Sequence, residues 1–407
     1  MKSMATEILR LQGFNGPNLY GPQPSVLLQV RANKDRSRRL KDALKDGGQS
    51  IGIVIGYLDV STDLDGDAYL ITVHFATPTP ELGVELAHYV VAGLNAKEAG
   101  DEAWDAEGPL WDLQKRRRAE ALPLPALQLT AEAASRGVPT MLRHDGLLQV
   151  GYGVRSWTFD PATLKEPDLG LKASDIGMSA PFARSPVAID VPWEQVGPIP
   201  IMAVAGGASR DIAAQLLAAT LYTQEPATTL AAPADFDATQ TLLADASAAI
   251  AVVGLTPDSI AQRGLAFERC AYSAVTDLPE QLPPEVADRE ELARVLGVPM
   301  LVTDPTGHVA LNADVPEIAA LAEYAPCQVI YVSATAENST VAFHRASGGT
   351  ALFVRDGAVI GAAGAAEQAV AAATLPPAQL PGALAALALL RAMGLTWEQI
   401  IPAMRAG

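Results

Sequence analysis

The sequence predicts an α/β chain in two parts. An α+β N-terminal domain comes first, and a mostly parallel, doubly wound sheet follows. Three observations carry this. From Ile199 onward, short apolar runs alternate with helix-length runs. Before that, strand-like runs precede the helical ones. Between the two parts lie Pro161, Pro167, Pro181, Pro186, Pro192 and Pro198, with little periodicity. The expected divisions are 1–165, a proline-rich linker at 166–197, and 198–407. A chain of 407 residues has room for two or three cores.

In the first part, Val26 to Val30, Ile51 to Val60 and Ala68 to Phe75 have strand composition. Leu82, Leu86, Val90 and Leu94 recur at helical spacing within Pro80 to Leu94. A charged helix is expected around Trp111 to Glu120. Leu127 to Arg136 leads through Gly137 into a strand at Pro139 to Leu142, and the unit closes at Leu147 to Gly153.

In the second part, Ile201 to Ala205 reads as a strand and Asp211 to Leu221 as a helix. Ala249 to Gly254, Tyr272 to Val275, Met300 to Thr303 and Gln328 to Val332 read as strands, with a helix at Val315 to Tyr324. Ala351 to Val354 and Ala358 to Ile360 flank Arg355-Asp356-Gly357. Asp-Gly between apolar runs signals a hairpin. Helices are expected at Ala365 to Ala373, Pro381 to Met393 and Trp397 to Arg405.

Hydrophobic residues make up 49% and charged residues 18%, which excludes a disordered chain. The net charge of −17 argues against nonspecific binding to nucleic acid or anionic membrane. A basic partner or peptide stays open, although solubility of a cytosolic protein is the simpler account. Two cysteines, Cys270 and Cys327, make no disulfide framework and read as small buried thiols. No leader pattern is visible. The apolar run from Leu380 to Met393 is interrupted by Pro381 and Arg391. A cytoplasmic location is expected.

The segment Ile199 to Asp211 has the strand–loop–helix setting of a phosphate-binding loop. Such a loop ends in Gly-Lys-Ser/Thr: backbone N–H groups approach phosphate, the Lys reaches the outer phosphates, and the hydroxyl ligates Mg²⁺. Gly206 and Gly207 are present, but Ser209, Arg210 and Asp211 stand where Gly-Lys-Thr would be. A carboxylate facing phosphate adds repulsion. The glycines could still bind an anion, whereas Asp211 as a first-turn acid complementing the helix dipole is the simpler reading. Arg210 is left to pair with Asp211 or face solvent.

Gly16-Pro17-Asn18, Arg136 to Pro139, Leu148 to Gly153 and Arg263 to Cys270 together resemble segments of cyanophycin synthetase, the first of them that family's Gly-Pro-Asn. Arg136 to Pro139 with Leu148 to Gly153 is similar to its Arg-Gly-Ile-Pro…Val-Gln-Leu-Gly-Tyr-Gly, and Arg263 to Cys270 to its Arg-Gly-Leu-Ala-Phe-Asp-Arg-Cys. Leu311 to Asp314 and Phe353 to Gly357 also match. The resemblance implies a cyanophycin-synthetase-like N-terminal domain and a Mur-ligase-like core. It also implies an activity that polymerises aspartate with arginine side-branches. The family's ATP-grasp module, due after Gly153, has no room in the linker, and the C-terminal Mur domain is expected to be missing. The metal-binding Glu of the family aligns with Gly254 and the His of its Asn…Glu-Asp-His with Leu282, after Asp277 and Glu280-Gln281. Losing the Lys, Glu and His together makes acyl-phosphate chemistry hard to rescue.

Other candidates are weaker. No H-x-x-E-H motif is present. Glu85 and His88 share a helical face, but two groups do not make a zinc site, and an ordinary half-buried His88 is expected. His308 and His344 fall in separate strands or loops without visible ligand partners. Lys115 to Arg118 reads as a solvated helix face, and Gly16-Pro17-Asn18 as a turn. No catalytic residue or metal ligand is assigned.

The expected function is a catalytically inactive homologue serving as an interaction, scaffolding or regulatory subunit, without cofactor. The alternative is an ATP- and Mg²⁺-dependent amide ligase with a non-standard loop. Expected partners are a second copy, an active ligase of the same family, or an acidic or basic peptide or polymer. A third reading has the Ala/Leu-rich stretch Ala365 to Met393 left as an apolar patch that needs a partner.

Overall fold

Strand β1 (Glu7–Phe14) pairs antiparallel with β2 (Ser25–Ala32), and helix α1 (Ser37–Ile51) leads to the hairpin of β3 (Leu58–Asp65) and β4 (Ala68–Ala76). The computed structural model describes residues 6–164, 189–224, 228–372 and 376–406. Residues 166–188 of the expected linker lie outside the described residues. Among the described residues, these four strands form one sheet in the order β1-β2-β4-β3. The alternating apolar positions Val26, Leu28 and Val30 of β2 and Ile71, Val73 and Phe75 of β4 point to one face. That face is covered by α1 and by α2 (Pro80–Ala99), through Leu40, Leu44, Leu82, Leu86 and Val90. Helix α3 (Glu107–Glu120) packs on both, and α4 (Leu124–Ser135) precedes a small antiparallel sheet of β5 (Thr140–Leu142), β6 (Leu148–Val150) and β7 (Trp157–Phe159).

The strand expected at Ile51 to Val60 is divided. Ile51 ends α1, because Gly52 adopts φ 77° and its N–H returns to the Gly48 and Gln49 carbonyls, an αL cap. The strand starts only at Leu58. Neither β1 nor α1 was legible, since polar residues interrupt both apolar patterns.

The second part runs β8 (Ile201–Ala205), α5 (Ser209–Gln224), β9 (Thr228–Ala234), α6 (Phe236–Ala244), β10 (Ile250–Leu255), α7 (Pro257–Arg263) and β11 (Cys270–Val275). It continues with α8 (Arg289–Leu296), α9 (Val298–Leu301), β12 (Thr303–Asn312), α10 (Pro316–Ala319), β13 (Gln328–Ser333), α11 (Ser339–Ala346) and β14 (Thr350–Arg355). It closes with β15 (Ala358–Ala363), β16 (Ala366–Ala372), α12 (Leu380–Ala392) and α13 (Trp397–Ala406). Among the described residues these strands form one sheet, ordered β16-β15-β14-β13-β12-β11-β8-β10-β9. Strands β8 to β14 are parallel, and β14-β15-β16 form an antiparallel meander. Leu217 of α5, Leu384 to Leu390 of α12 and Ile400 of α13 cover one face. Leu243, Ile260, Leu292, Leu296 and Val341 cover the other. This is an α/β sheet wound on both faces, as expected.

Three local readings are corrected. Met300 belongs to α9, where Pro299 sits in the first turn as a compatible residue, and β12 begins at Thr303. The helix expected at Ala365 to Ala373 is not observed over Ala365 to Ala372, and Ala373 lies outside the described residues. The segment forms strand β16, turned back at Gly364 (φ 57°) and paired with β15, so tertiary pairing overrides helix propensity. The stretch Gly382 to Leu390 is buried, so no open apolar patch remains there. The Asp356-Gly357 hairpin is borne out, with φ positive at both residues (51° and 72°), as a type I′ turn requires.

The two parts are joined backbone to backbone. Asn15 N–H donates to Arg263 O (2.9 Å) and Leu265 N–H to Pro17 O (2.8 Å). The Arg263 guanidinium donates to Asn15 Oδ1 at 3.1 Å and lies over the Phe236 ring at 4.4 Å. Buried Asn18 holds the turn by donating to Gly16 O and to Ser25 Oγ. A Cβ on Gly16 would stand 1.9 Å from Leu265 O, so glycine is needed for this approach. Gly16→Ala is expected to cost about 2–4 kcal/mol, read as a lowered midpoint in chemical denaturation.

Candidate functional site

Strands β8 and β11 are parallel neighbours, but the helices that follow them, α5 and α8, cover opposite faces. The crevice at their carboxyl ends is a topological switch point, where ligands of open α/β sheets bind. It is bounded by Gly206-Gly207 after β8 and Thr276-Asp277 after β11.

The two loops press together. Gly206 has φ 155°, and a Cβ there would lie 2.2 Å from Thr276 Oγ1. A Cβ on Gly207 would lie 2.5 Å from Asp277 Oδ2. The Gly207 N–H donates to Asp277 Oδ1 at 3.0 Å and to Asp277 O at 3.2 Å. Thr276 Oγ1 donates to the same Oδ1 at 2.8 Å. A carboxylate of the chain thus accepts the loop's amide proton.

The start of α5 is also engaged internally. Ser209, nearly buried, donates its hydroxyl to Ala378 O at 3.0 Å. Arg210 is 8% exposed. Its Nε and Nη2 donate to Asp211 at 2.9 and 3.1 Å, and its Nη1 to Gly206 O at 3.2 Å. Of the two readings left open for Arg210, pairing with Asp211 is the one observed. Asp211 lies in the first turn, as expected. Gly382 of α12 sits on this turn, where a Cβ would be 2.1 Å from Ser209 O.

Gly254 lies inside β10, buried and in register with Val204. Leu282 lies on the loop after β11 and is 39% exposed. The structure therefore gathers Gly206, Gly207, Ser209, Arg210 and Asp211 at one strand end, with Leu282 on the facing loop.

Sequence reasoning missed the polar chain that extends from there. Asn312 Nδ2 donates to Thr276 O at 2.7 Å, tying the end of β12 to that of β11. Asp314 accepts from Ser333 Oγ (2.6 Å), the Ala334 N–H (2.6 Å) and Asn338 Nδ2 (3.0 Å). Asn338 in turn caps α11. The matching motif Leu311 to Asp314 was the available signal, since it closes a strand with two polar groups.

The other candidates separate. His88 is exposed rather than half-buried, because its position on α2 faces the groove toward α3 rather than the core. Among the described residues, no three His, Cys, Asp or Glu groups are placed to share a metal ion. His344 lies in helix α11, with its ring against Tyr331. His308 is in β12 and stacks on Tyr272. Arg116 pairs with Glu85 and Glu120, and Arg117 donates to Gly52 O, so the basic run is partly engaged. Cys270 is buried and Cys327 half-buried. Burial pushes the first thiol up to about 12 and the second to about 11, which leaves both protonated and unreactive. No described helix is long and apolar enough to cross a membrane.

Residues 5–332 match the sequence profile of the family described as Domain of unknown function (DUF4938), and the chain belongs to that family. It is also similar to cyanophycin synthetase of Synechocystis sp., at 30% identity over 143 residues, which is 35% of this chain and 16% of that protein. A second match, cyanophycin synthetase of Crocosphaera subtropica, is 30% identical over 118 residues, 28% of this chain and 14% of that one. The chain thus spans about a sixth of the length of these curated relatives. The resemblance read from the motifs is borne out. Among solved structures, MurF of Acinetobacter baumannii aligns with a TM-score of 0.38 at 12% identity, over 50% of this chain and 45% of that one.

One titration is set by packing. His74, 8% exposed, accepts or donates at Nδ1 with Tyr57 Oη (2.9 Å) and lies against the Tyr20 ring. Desolvation lowers its pKa to about 4. The folded state then binds fewer protons than the unfolded one, so this contribution is present above about pH 6.5 and is lost as pH falls toward 4. Between about pH 7 and pH 5, the native chain is expected to lose on the order of 2 kcal/mol that His74→Gln does not lose. Denaturant titrations at both pH values measure it.

Proposed function

We propose that this chain is a catalytically inactive relative of cyanophycin synthetase that works as an interaction subunit. The observation that carries this reading is the Asp277 carboxylate on the Gly207 N–H. A polyphosphate oxygen brought to that amide would meet the carboxylate at close range. At an effective dielectric of about 20, two such charges about 4 Å apart repel by about 4 kcal/mol. Arg210, the nearest cation in the loop, is turned onto Asp211 and Gly206 O instead of toward the crevice. With Gly254 and Leu282 standing where the resemblance places a metal-binding Glu and a His, these residues do not fit ATP with Mg²⁺. We derive no step through them.

The recognisable segments serve packing on this account. The Gly16 turn and Arg263 to Leu265 clamp the two parts. Leu311 to Asp314 ties three strand ends. A chain selected for surfaces keeps such contacts while a disused site drifts. Its partner would be a second copy, an active ligase of the same family, or a peptide or polymer.

The experiment uses ATP, Mg²⁺, aspartate, arginine and short acidic peptides, with phosphate release and product mass as readouts. No turnover above buffer is expected. Turnover abolished by Arg210→Ala would establish the ligase alternative instead. In parallel, inorganic triphosphate is expected to leave the native Tm unchanged and to raise that of Asp277→Ala by several degrees. A rise of equal size in the native chain would contradict the reading.

A further inference from the structure

Helix α1 and the edge of the N-terminal sheet enclose a groove of about 440 Å³, lined among others by Lys41, Lys45, Gln49, Ile55, Tyr57 and Leu58. Lys41, Lys45 and Gln49 are four residues apart and share one face of α1. Among the described residues neither lysine has an ion pair or hydrogen bond. Of the seven basic residues between Arg31 and Lys45, Arg31, Arg36, Arg38 and Arg39 are already in ion pairs, which leaves Lys41 and Lys45 as the groove's uncompensated charges in a chain that carries −17.

The opposite wall is segment 53–57, tied to the end of β4 through Gly56 and Tyr57, and Leu58 at the start of β3. Val54 is 64% exposed and Tyr57 38%. Strand β3 pairs only with β4 among the described residues, so its outer edge offers unpaired backbone groups. Its side chains alternate. Leu58 and Val60 pack toward α1 and the core, and Asp59, Ser61 and Asp63 lie on the other face. An open strand edge beside a helix is the setting for strand addition, in which backbone bonds give affinity and alternate side chains give specificity.

We propose that this groove takes an extended peptide that adds to β3 as a further strand, with carboxylates on its helix-facing positions. Those carboxylates reach Lys41 and Lys45. The intervening side chains lie beside Asp59, Ser61 and Asp63 and are neutral, because acids there would be repelled. The eight residues of β3 accommodate about eight residues of peptide, roughly 27 Å. This inference stands apart from the strand-end crevice and is unaffected by whether nucleotide binds there.

The test is fluorescence anisotropy of the full chain with a labelled peptide of about ten residues alternating aspartate and threonine. A peptide of the same composition, with all aspartates in one block, is the control. The alternating peptide is expected to bind roughly tenfold more tightly than the block peptide. Lys41→Gln with Lys45→Gln, at surface positions, is expected to weaken it by roughly tenfold or more. Lys115→Gln with Arg118→Gln, an equal charge change elsewhere, should bind as the native chain does. Circular dichroism checks that each variant is folded. Absence of binding to the native chain, equal binding of the two peptides, or native-like binding by the Lys41/Lys45 variant would each overturn the proposal.

Discussion

The hydrogen bond from the Gly207 amide to the Asp277 carboxylate organises the strand-end crevice. Once that carboxylate is seated, Gly206 and Gly207 must remain glycines, since a Cβ at either would collide with Thr276 or Asp277. Thr276 is fixed in turn, because its hydroxyl donates to Asp277 and its carbonyl accepts from Asn312. Asn312 and Asp314 then carry the connection to β13 and α11. Each buried polar group finds its partner in the next, so the edge is closed by the chain itself.

A helix N-terminus attracts anions because its first N–H groups lack partners and its dipole is positive there. Here Asp211 lies in the first turn of α5 and Asp277 approaches from the neighbouring loop. Two internal carboxylates supply the negative charge that a ligand would otherwise bring. Arg210 compensates one of them and is itself nearly buried, so its charge is spent within the fold. On our proposal this internal neutralisation makes the site structural. The groove beside α1 is the contrasting case: its two lysines have no partners among the described residues.

The central strands β8 and β10 of the large sheet were legible because they are buried on both faces and read as continuous apolar runs. The Asp356-Gly357 turn was legible because its chemistry is local. Strand β16 was not, because Ala, Glu and Gln favour helix and only pairing with β15 makes them extended. Helix α1 was hidden by its charges, with Leu40, Leu44 and Ile51 its apolar contacts. At the crevice, the loop residues and their order were readable, and so was the option of an Arg210–Asp211 pair. The seating of Asp277 was not, since 70 residues separate it from Gly207 and no periodicity links them.

The most direct measurement is the amide resonance of Gly207 in chain labelled with ¹⁵N-glycine, followed as ATP and Mg²⁺ are added. Our account holds that this proton already belongs to Asp277, so the resonance should stay in place through the titration. A saturable shift of that resonance, absent in controls without nucleotide, would show phosphate displacing the carboxylate and would contradict the account.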